Sequence, residues 1–172
     1  MKPKILLLPE EHHNVEVHKR QAEEVLKFKP EVCLLEMYDD PADYKICANF
    51  SRTSLEELRK GWHWHVAFDV YLPLIEAIRK IRTEVMPLTP SVLVTGEIDE
   101  EKDPIGNLAM KEVICRYSAG FSRVAAVCGY VHIVGSKGAK AEGLKYLLED
   151  SFAVVFPQYA KEDAEFGKLV VL

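Results

Sequence analysis

The chain of 172 residues has few of the features that mark membrane proteins or nucleic-acid-binding proteins. Its longest purely apolar run near the start covers residues 5–8, which is too short for the core of a signal peptide and far too short to cross a bilayer. Acidic residues outnumber basic ones and give a net charge of -5, whereas binding to nucleic-acid phosphates usually requires a basic face. We therefore expect a cytoplasmic protein with no nucleic-acid or membrane partner.

Cysteines and side-chain amides are also scarce. The four cysteines are dispersed and form no C-x-x-C pair, so neither a zinc ribbon nor a redox dithiol is indicated, and we expect reduced, mostly buried thiols. Asn and Gln together number only five, a bias that is found in proteins of hot environments but excludes no function. The cysteines are Cys33, Cys47, Cys115 and Cys128.

The rest of the composition, 48% hydrophobic and 28% charged, is typical of one globular domain, and we expect residues 1–172 to form a single α/β domain. Short apolar runs alternate with amphipathic helical segments along nearly the whole chain. This alternation predicts a mostly parallel sheet with helices on both faces. Strands are predicted over residues 4–8, 31–37, 83–88, 124–128, 152–156 and 168–172, and the main helices over the segment from Asn14 to Lys29 and over 51–60, 66–81, 104–117 and about 139–149.

Residues 89–104 lack the pattern of either a helix or a strand. The segment is flanked by prolines and is acidic in its second half, which predicts an exposed loop. A loop of this length is uncommon unless it has a function, so a lid over a binding site is one interpretation.

The first predicted strand ends in residues 9–13, which supply two carboxylates and two imidazoles. Open α/β sheets bind their ligands outside the carboxyl ends of the strands. The strand–helix–strand order of residues 4–37 predicts a right-handed parallel crossover, so Glu10, His12 and Glu36 should converge at one edge of the sheet. His132 follows another predicted strand, at the same spacing from its end as His12, and is a further candidate.

Imidazoles and carboxylates from separate strand ends can bind a divalent ion such as Mn, Zn, Co or Fe and leave a position open for water. Such an ion lowers the pKa of the water to about 7, and a second carboxylate can act as general base. We therefore predict a metal-assisted hydrolase of a small molecule or a peptide. The predicted ligands are His12, His132 and Glu36, and the predicted base is Glu10, with Glu36 as the alternative base.

The sequence evidence for a functional role is weaker for the remaining histidines. His18 lies on the apolar stripe of the first helix, so it is either a core histidine or, as we expect, a partner that orients the carboxylates. His63 and His65 could act together only if residues 62–65 are not helical, because they project to different sides of a helix. The alternative is a helix start with two tryptophans packed on the core. His13 is expected to point away from His12 and to have no role.

The run PEEHHNVEVHKRQAEEVLKFKPEVCLLEMY, residues 9–38, resembles the opening of the ChaN-like haem-uptake proteins. In that family a G-E-x-H motif follows the first strand, the next helix carries another His, and the second strand ends in E-M-F. Glu10, His12, His18 and Glu36 fall on these positions. WHWHVAFDVYLPLIEAIRK is similar to the family's W and Y-x-P-L-L segment. VCGYVHIV and the later GLKYLL are similar to its late G-x-x-H motif and the G-x-x-x-L that follows.

The wider superfamily includes the erythromycin esterases and the TraB/Tiki proteins. The resemblance implies a His and Glu set that hydrolyses its substrate, with a divalent metal in the Tiki type and without one in the esterases. It also implies an alternative, a haem- or iron-binding module of the ChaN type, in which Tyr38, Tyr130 or a histidine would be the axial ligand of haem. A non-catalytic relative is a third alternative. The oligomeric state stays open, with a homodimer among the alternatives.

Overall fold

The computed structural model describes residues 3–38, 41–64, 66–89, 103–136, 141–155, 157, 160–162 and 169–171. The predicted lid at residues 89–104 therefore lies, except for its ends, outside the described residues. In chain order the elements are β1 (Lys4–Glu10), α1 (Val15–Phe28), β2 (Val32–Tyr38), α2 (Pro41–Asn49), α3 (Leu55–Gly61), α4 (Phe68–Ile81), β3 (Glu84–Thr89), α5 (Asp103–Ser118), β4 (Arg123–Gly129), α6 (Tyr130–Val134), β5 (Gly135–Ser136), β6 (Ala141–Glu142), α7 (Leu144–Glu149), β7 (Ala153–Val155), β8 (Ala160–Glu162) and β9 (Leu169–Val171).

Five strands form one parallel sheet in the order β3-β2-β4-β1-β7. This confirms the predicted α/β fold with a parallel sheet. The strand β4 lies between β1 and β2, because both pair with it over most of their lengths. Since all five strands run the same way, the carboxyl ends of β1, β4 and β2 meet at one edge of the sheet. The edge position of β3 suits Pro87, which has no N–H to offer a further strand.

The central strands are apolar throughout because their side chains alternate between two cores. Leu6 and Leu8 of β1 belong to the core beneath α1, α2, α3 and α4. Ile5 and Leu7 belong to the core beneath α5, α6 and α7. All four side chains are fully buried. Helices therefore cover both faces of the sheet, as the sequence predicts.

Two of the predicted helices begin at side-chain caps. The Asn14 side chain accepts hydrogen bonds from the backbone N–H groups of Glu16 and Val17 at the start of α1. At the start of α3, Ser54 and Glu57 bond to each other's backbone N–H groups in a capping box. Among the described residues, no helix has the length and hydropathy that crossing a bilayer requires.

Several predicted boundaries differ from the structure. The strand β1 continues two residues past its predicted end at residue 8, because Pro9 and Glu10 stay in register with Cys128 and Gly129 of β4. The helix predicted over 139–149 begins only at Leu144, because residues 141–142 pair with residues 135–136. The last predicted strand, residues 168–172, is represented by β9, which pairs with β8 in a separate two-stranded sheet.

The buried cysteines give a chemical test of this packing. The four cysteines are free, and Cys33 and Cys128 lie fully buried in the sheet, where burial raises the pKa of the Cys33 thiol to about 12 and that of Cys128 well above its usual value. Cys115 on α5 is partly exposed. We expect iodoacetamide at pH 8 to modify Cys115 roughly tenfold faster or more than the other cysteines of the folded protein. Peptide mass spectrometry measures this, and equal native-state labelling of Cys33 would contradict it.

Candidate active site

The candidate site lies at the carboxyl edge of the sheet, where three neighbouring strands end. Glu10 is the last residue of β1 and is opposite Gly129, the last residue of β4. Glu36 lies near the end of β2, on the other side of β4. The short helix α6 follows β4 directly and carries His132. The predicted convergence of the strand ends is thus found in the structure.

Glu10 and His12 form the first pair of the site. Glu10 is almost completely buried, at 3% exposure, and its Oε1 lies 2.7 Å from Nδ1 of His12. The hydroxyl of Tyr71 donates a hydrogen bond to Oε2 of the same carboxylate. The hydrogen bond from His12 to Glu10 raises the pKa of His12, partly offset by burial and supported by the negative charges of Glu10 and Glu36. His12 is therefore a strong proton acceptor that is held in one orientation.

Glu36 and His132 form the second pair. Oε2 of Glu36 accepts the backbone N–H of Gly129 at 2.5 Å, and its Oε1 lies 3.4 Å from Nε2 of His132. Burial alone would raise the pKa of Glu36, but the hydrogen bond and charge of His132, together with the Gly129 N–H and the charge of His12, lower it overall. Glu36 is therefore a carboxylate held in its ionised form.

Three of these four side chains are grouped closely enough to hold a divalent metal ion, and His132 is not one of the three. Glu10, His12 and Glu36 each offer one ligand atom within 4.8 Å of those of the other two. Nε2 of His132 lies beside this group, 3.4 Å from Oε1 of Glu36. Nδ1 of each imidazole lies within 2.8 Å of a neighbouring oxygen, a position that is usual for a metal-binding histidine.

His18 lies behind the site and reaches it through other residues. It is fully buried, its Nδ1 lies 2.7 Å from Oε1 of Gln21, and its ring packs on Tyr71 with 4.1 Å between the centroids. Burial lowers the pKa of His18, so the ring is neutral near pH 7. We expected His18 to orient the carboxylates, and the structure gives it an indirect route to Glu10, by packing against Tyr71.

The segment between α3 and α4 builds an aromatic wall beside the site. Residues 62–64 are not helical, and the ring of Trp64 lies 6.4 Å from that of His12 and 4.7 Å from that of Tyr71. His63 instead pairs with Asp43, at 2.9 Å, and is not part of the site. His65 lies outside the described residues. The tryptophans are thus packed on the core, but before the helix and not at its start.

The other predicted residues have simpler positions. His13 is exposed in the turn after β1. Tyr130 is 6% exposed at the start of α6, whereas the side chain of Tyr38 lies outside the described residues. No pattern in the sequence indicates a role for Asn107, whose Oδ1 lies 2.8 Å from Nδ1 of His132. For Tyr71 one sequence feature could have indicated a role, namely its position in the segment that resembles Y-x-P-L-L.

A surface depression of about 1150 Å³ opens beside Glu10 and His12. Two apolar side chains are exposed there, Val15 at 38% and Val131 at 51%. The turn after β1 and the first turns of α1 form one wall, and the start of α6 forms the other. The depression therefore gives a small ligand access to His12, whose side chain is 33% exposed, whereas the side chain of Glu10 is fully buried behind it.

Comparisons with known proteins bear on the fold alone. The chain matches no protein-family model and no curated protein. It is similar in fold to the type III effector HopBA1. That solved structure has 12% sequence identity and a TM-score of 0.55, over 90% of this chain and 75% of that one. Because the identity is so low, the likeness supports no activity, and the resemblance to the ChaN-like proteins stays a prediction.

Proposed function

We propose that the protein is a metal-assisted hydrolase. The observation that carries the proposal is the grouping of Glu10, His12 and Glu36, whose ligand atoms lie within 4.8 Å of one another at the carboxyl edge of the sheet. His132 adds a second imidazole beside Glu36. Two carboxylates and two imidazoles suit Mn, Zn, Co or Fe.

In the proposed reaction the two imidazoles and Glu36 would hold the ion, and Glu10 would be the general base. When bound, the ion would supply Lewis-acid polarisation of a substrate carbonyl. Glu10 takes a proton from the attacking water, whose oxygen bonds to the carbonyl carbon, and returns the proton to the leaving oxygen or nitrogen. Each carboxylate oxygen has two lone pairs, so the bonds of Glu10 to Tyr71 and His12 leave it further acceptor sites.

The lining of the depression favours a neutral or positively charged substrate with an apolar group. Glu11 and Glu16 contribute negative charge to the lining, and Lys19 lies 3.3 Å from Glu16. Away from the proposed ion, these carboxylates disfavour an acidic group on the substrate. The exposed Val15 and Val131 offer an apolar group a surface to cover. Small esters, amides and peptides with an apolar side group meet these conditions.

Val131 gives a direct test of this substrate class. We expect Val131→Glu to raise KM for an uncharged apolar substrate by about tenfold, with a smaller effect on kcat, because an apolar contact is lost and a charge is added at the wall. Tyr146→Glu is the control, since Tyr146 is similarly exposed at 42% but does not line the depression. Steady-state kinetics with a matched apolar and acidic ester measure the effect. An unchanged KM for the apolar ester would contradict the assignment.

The proposed function is tested first by metal analysis. Protein purified without a chelator should contain about one Mn, Zn, Co or Fe per chain, or bind one when it is added, and His12→Ala should lose it. A panel of small esters, amides and dipeptides is then assayed with each metal. If none of the four metals binds and no substrate is cleaved, the proposal fails and a non-catalytic relative is favoured. A Soret band on haem titration that Tyr130→Phe removes would favour a haem-binding module.

We infer the cytoplasm as the place of action. The supporting observation is that all four cysteines are free, which suits a reducing compartment. A green-fluorescent-protein fusion followed by cell fractionation would test this location.

A further inference from the structure

Asn107 lies buried in α5, directly beside His132. The residue is only 2% exposed, and its Oδ1 lies 2.8 Å from Nδ1 of His132. Its Nδ2 donates a hydrogen bond to the backbone carbonyl oxygen of Glu142 at 3.1 Å. One amide therefore connects α6, which carries His132, with the strand β6.

The orientation of this amide follows from its hydrogen bonds. A backbone carbonyl oxygen only accepts hydrogen bonds, so the amide group that faces Glu142 must be the NH₂. The amide oxygen then faces His132, and because this oxygen also only accepts, Nδ1 of His132 must carry a proton. In a neutral ring the lone pair consequently lies on Nε2, the nitrogen that is 3.4 Å from Oε1 of Glu36.

Two acceptors therefore face each other in a sheltered place. The side chains of His132 and Glu36 are only 21% and 17% exposed, so water screens little of the repulsion between the lone pair and the carboxylate. A cation between the two atoms, either a proton or a metal ion, turns this repulsion into attraction. The pair is thus arranged to share a cation.

The partner of Asn107 is itself held rigidly. Glu142 pairs with Gly135, which directly follows α6. The backbone of Gly143 packs so closely against the end of α6 that a Cβ there would overlap backbone atoms of Ile133 and Val134. The carbonyl of Glu142 therefore has a fixed position relative to α6, and it fixes the amide in turn.

We propose that Asn107 is a positioning residue that fixes the tautomer and the orientation of His132, so that Nε2 is presented to a cation shared with Glu36. Only the identity of that cation as a metal rests on the proposed function; the tautomer does not. The same device occurs behind the first pair, where Gln21 donates from Nε2 to the carbonyl of Pro9 at 2.9 Å while its Oε1 lies 2.7 Å from Nδ1 of His18.

The test is ¹⁵N NMR of the histidine rings in metal-free protein at pH 8, with His132→Gln to assign the signals. We expect the wild-type His132 ring to carry its proton on Nδ1, and Asn107→Leu to shift the proton wholly or partly to Nε2. Calorimetry should show the affinity for Zn²⁺ or Mn²⁺ falling about 10- to 100-fold in Asn107→Leu. Gln21→Leu removes the same kind of buried amide at His18 and should leave the His132 signals unchanged.

A neutral wild-type His132 whose one ring proton lies on Nε2 would overturn the proposal, and so would an Asn107→Leu variant with an unchanged tautomer or metal affinity. If Asn107→Leu does not fold, the wild-type spectrum still shows which nitrogen of His132 carries the proton. Asn107→Asp, which keeps an acceptor beside Nδ1, then serves as the second variant. If the chain binds neither metal while the tautomer changes as expected, the role of Asn107 stands and the metal-assisted function fails.

Discussion

Replacing Glu10 with glutamine is expected to lower kcat of the hydrolysis by about 100- to 10,000-fold, the range that general-base catalysis contributes. Glutamine has the shape of glutamate, so its amide oxygen can still accept the proton on Nδ1 of His12 while its NH₂ donates to the hydroxyl oxygen of Tyr71. The buried geometry should therefore persist. What is lost is the ability to take a proton from water.

The measurement is a comparison of kcat with metal affinity. Glu10→Gln should bind the metal nearly as the wild type does, because the proposed ligands His12, His132 and Glu36 remain. Glu36→Gln, in contrast, should lose both the metal and the activity. Glu23→Gln, an exposed change on α1 at a residue paired with Arg20, is the control and should keep both. A Glu10→Gln variant with the wild-type kcat would remove Glu10 from the mechanism.

Much of the fold follows from local patterns in the sequence. The apolar run of β1 and the helix that begins after Asn14 are both present where the sequence predicts them. The boundaries that differ depend on distant pairing. Pro9 looked like the end of a strand, but the register of β1 with β4 carries the strand past it, and no local pattern contains that register.

The candidate site also contains some residues that the sequence predicts and others that it does not. Glu10, His12 and Glu36 could be chosen because parallel strands bring their carboxyl ends together, whatever the order of the strands. Asn107 and Tyr71 could not be chosen on these grounds. They reach the site from the sides of helices α5 and α4, and which helical side chain meets which strand end depends on how the helices pack over the sheet.

Substitution of Tyr71 is the second change with a large expected effect, in this case on the stability of the protein. Tyr71 is fully buried, and its hydroxyl donates a hydrogen bond to Oε2 of Glu10. Its ring packs against the rings of His18 and Trp64. Tyr71→Phe keeps the ring but leaves a buried carboxylate without one of its donors. We expect the free energy of unfolding to fall by about 1–3 kcal/mol, which for a chain of this size lowers Tm by about 2–4 °C per kcal/mol.

A double-mutant cycle separates this hydrogen bond from the packing of the ring. If the loss arises at the carboxylate, Tyr71→Phe should cost much less in a Glu10→Leu background, which offers the hydroxyl no partner, and the coupling energy should be about 1–2 kcal/mol. Tyr146→Phe, which removes the hydroxyl of a partly exposed tyrosine, should change the stability by less than about 0.5 kcal/mol. Denaturant unfolding of the four proteins gives the cycle. Additive losses would mean that the hydroxyl stabilises the fold independently of Glu10, and Tyr71 would then have no part in holding the proposed base.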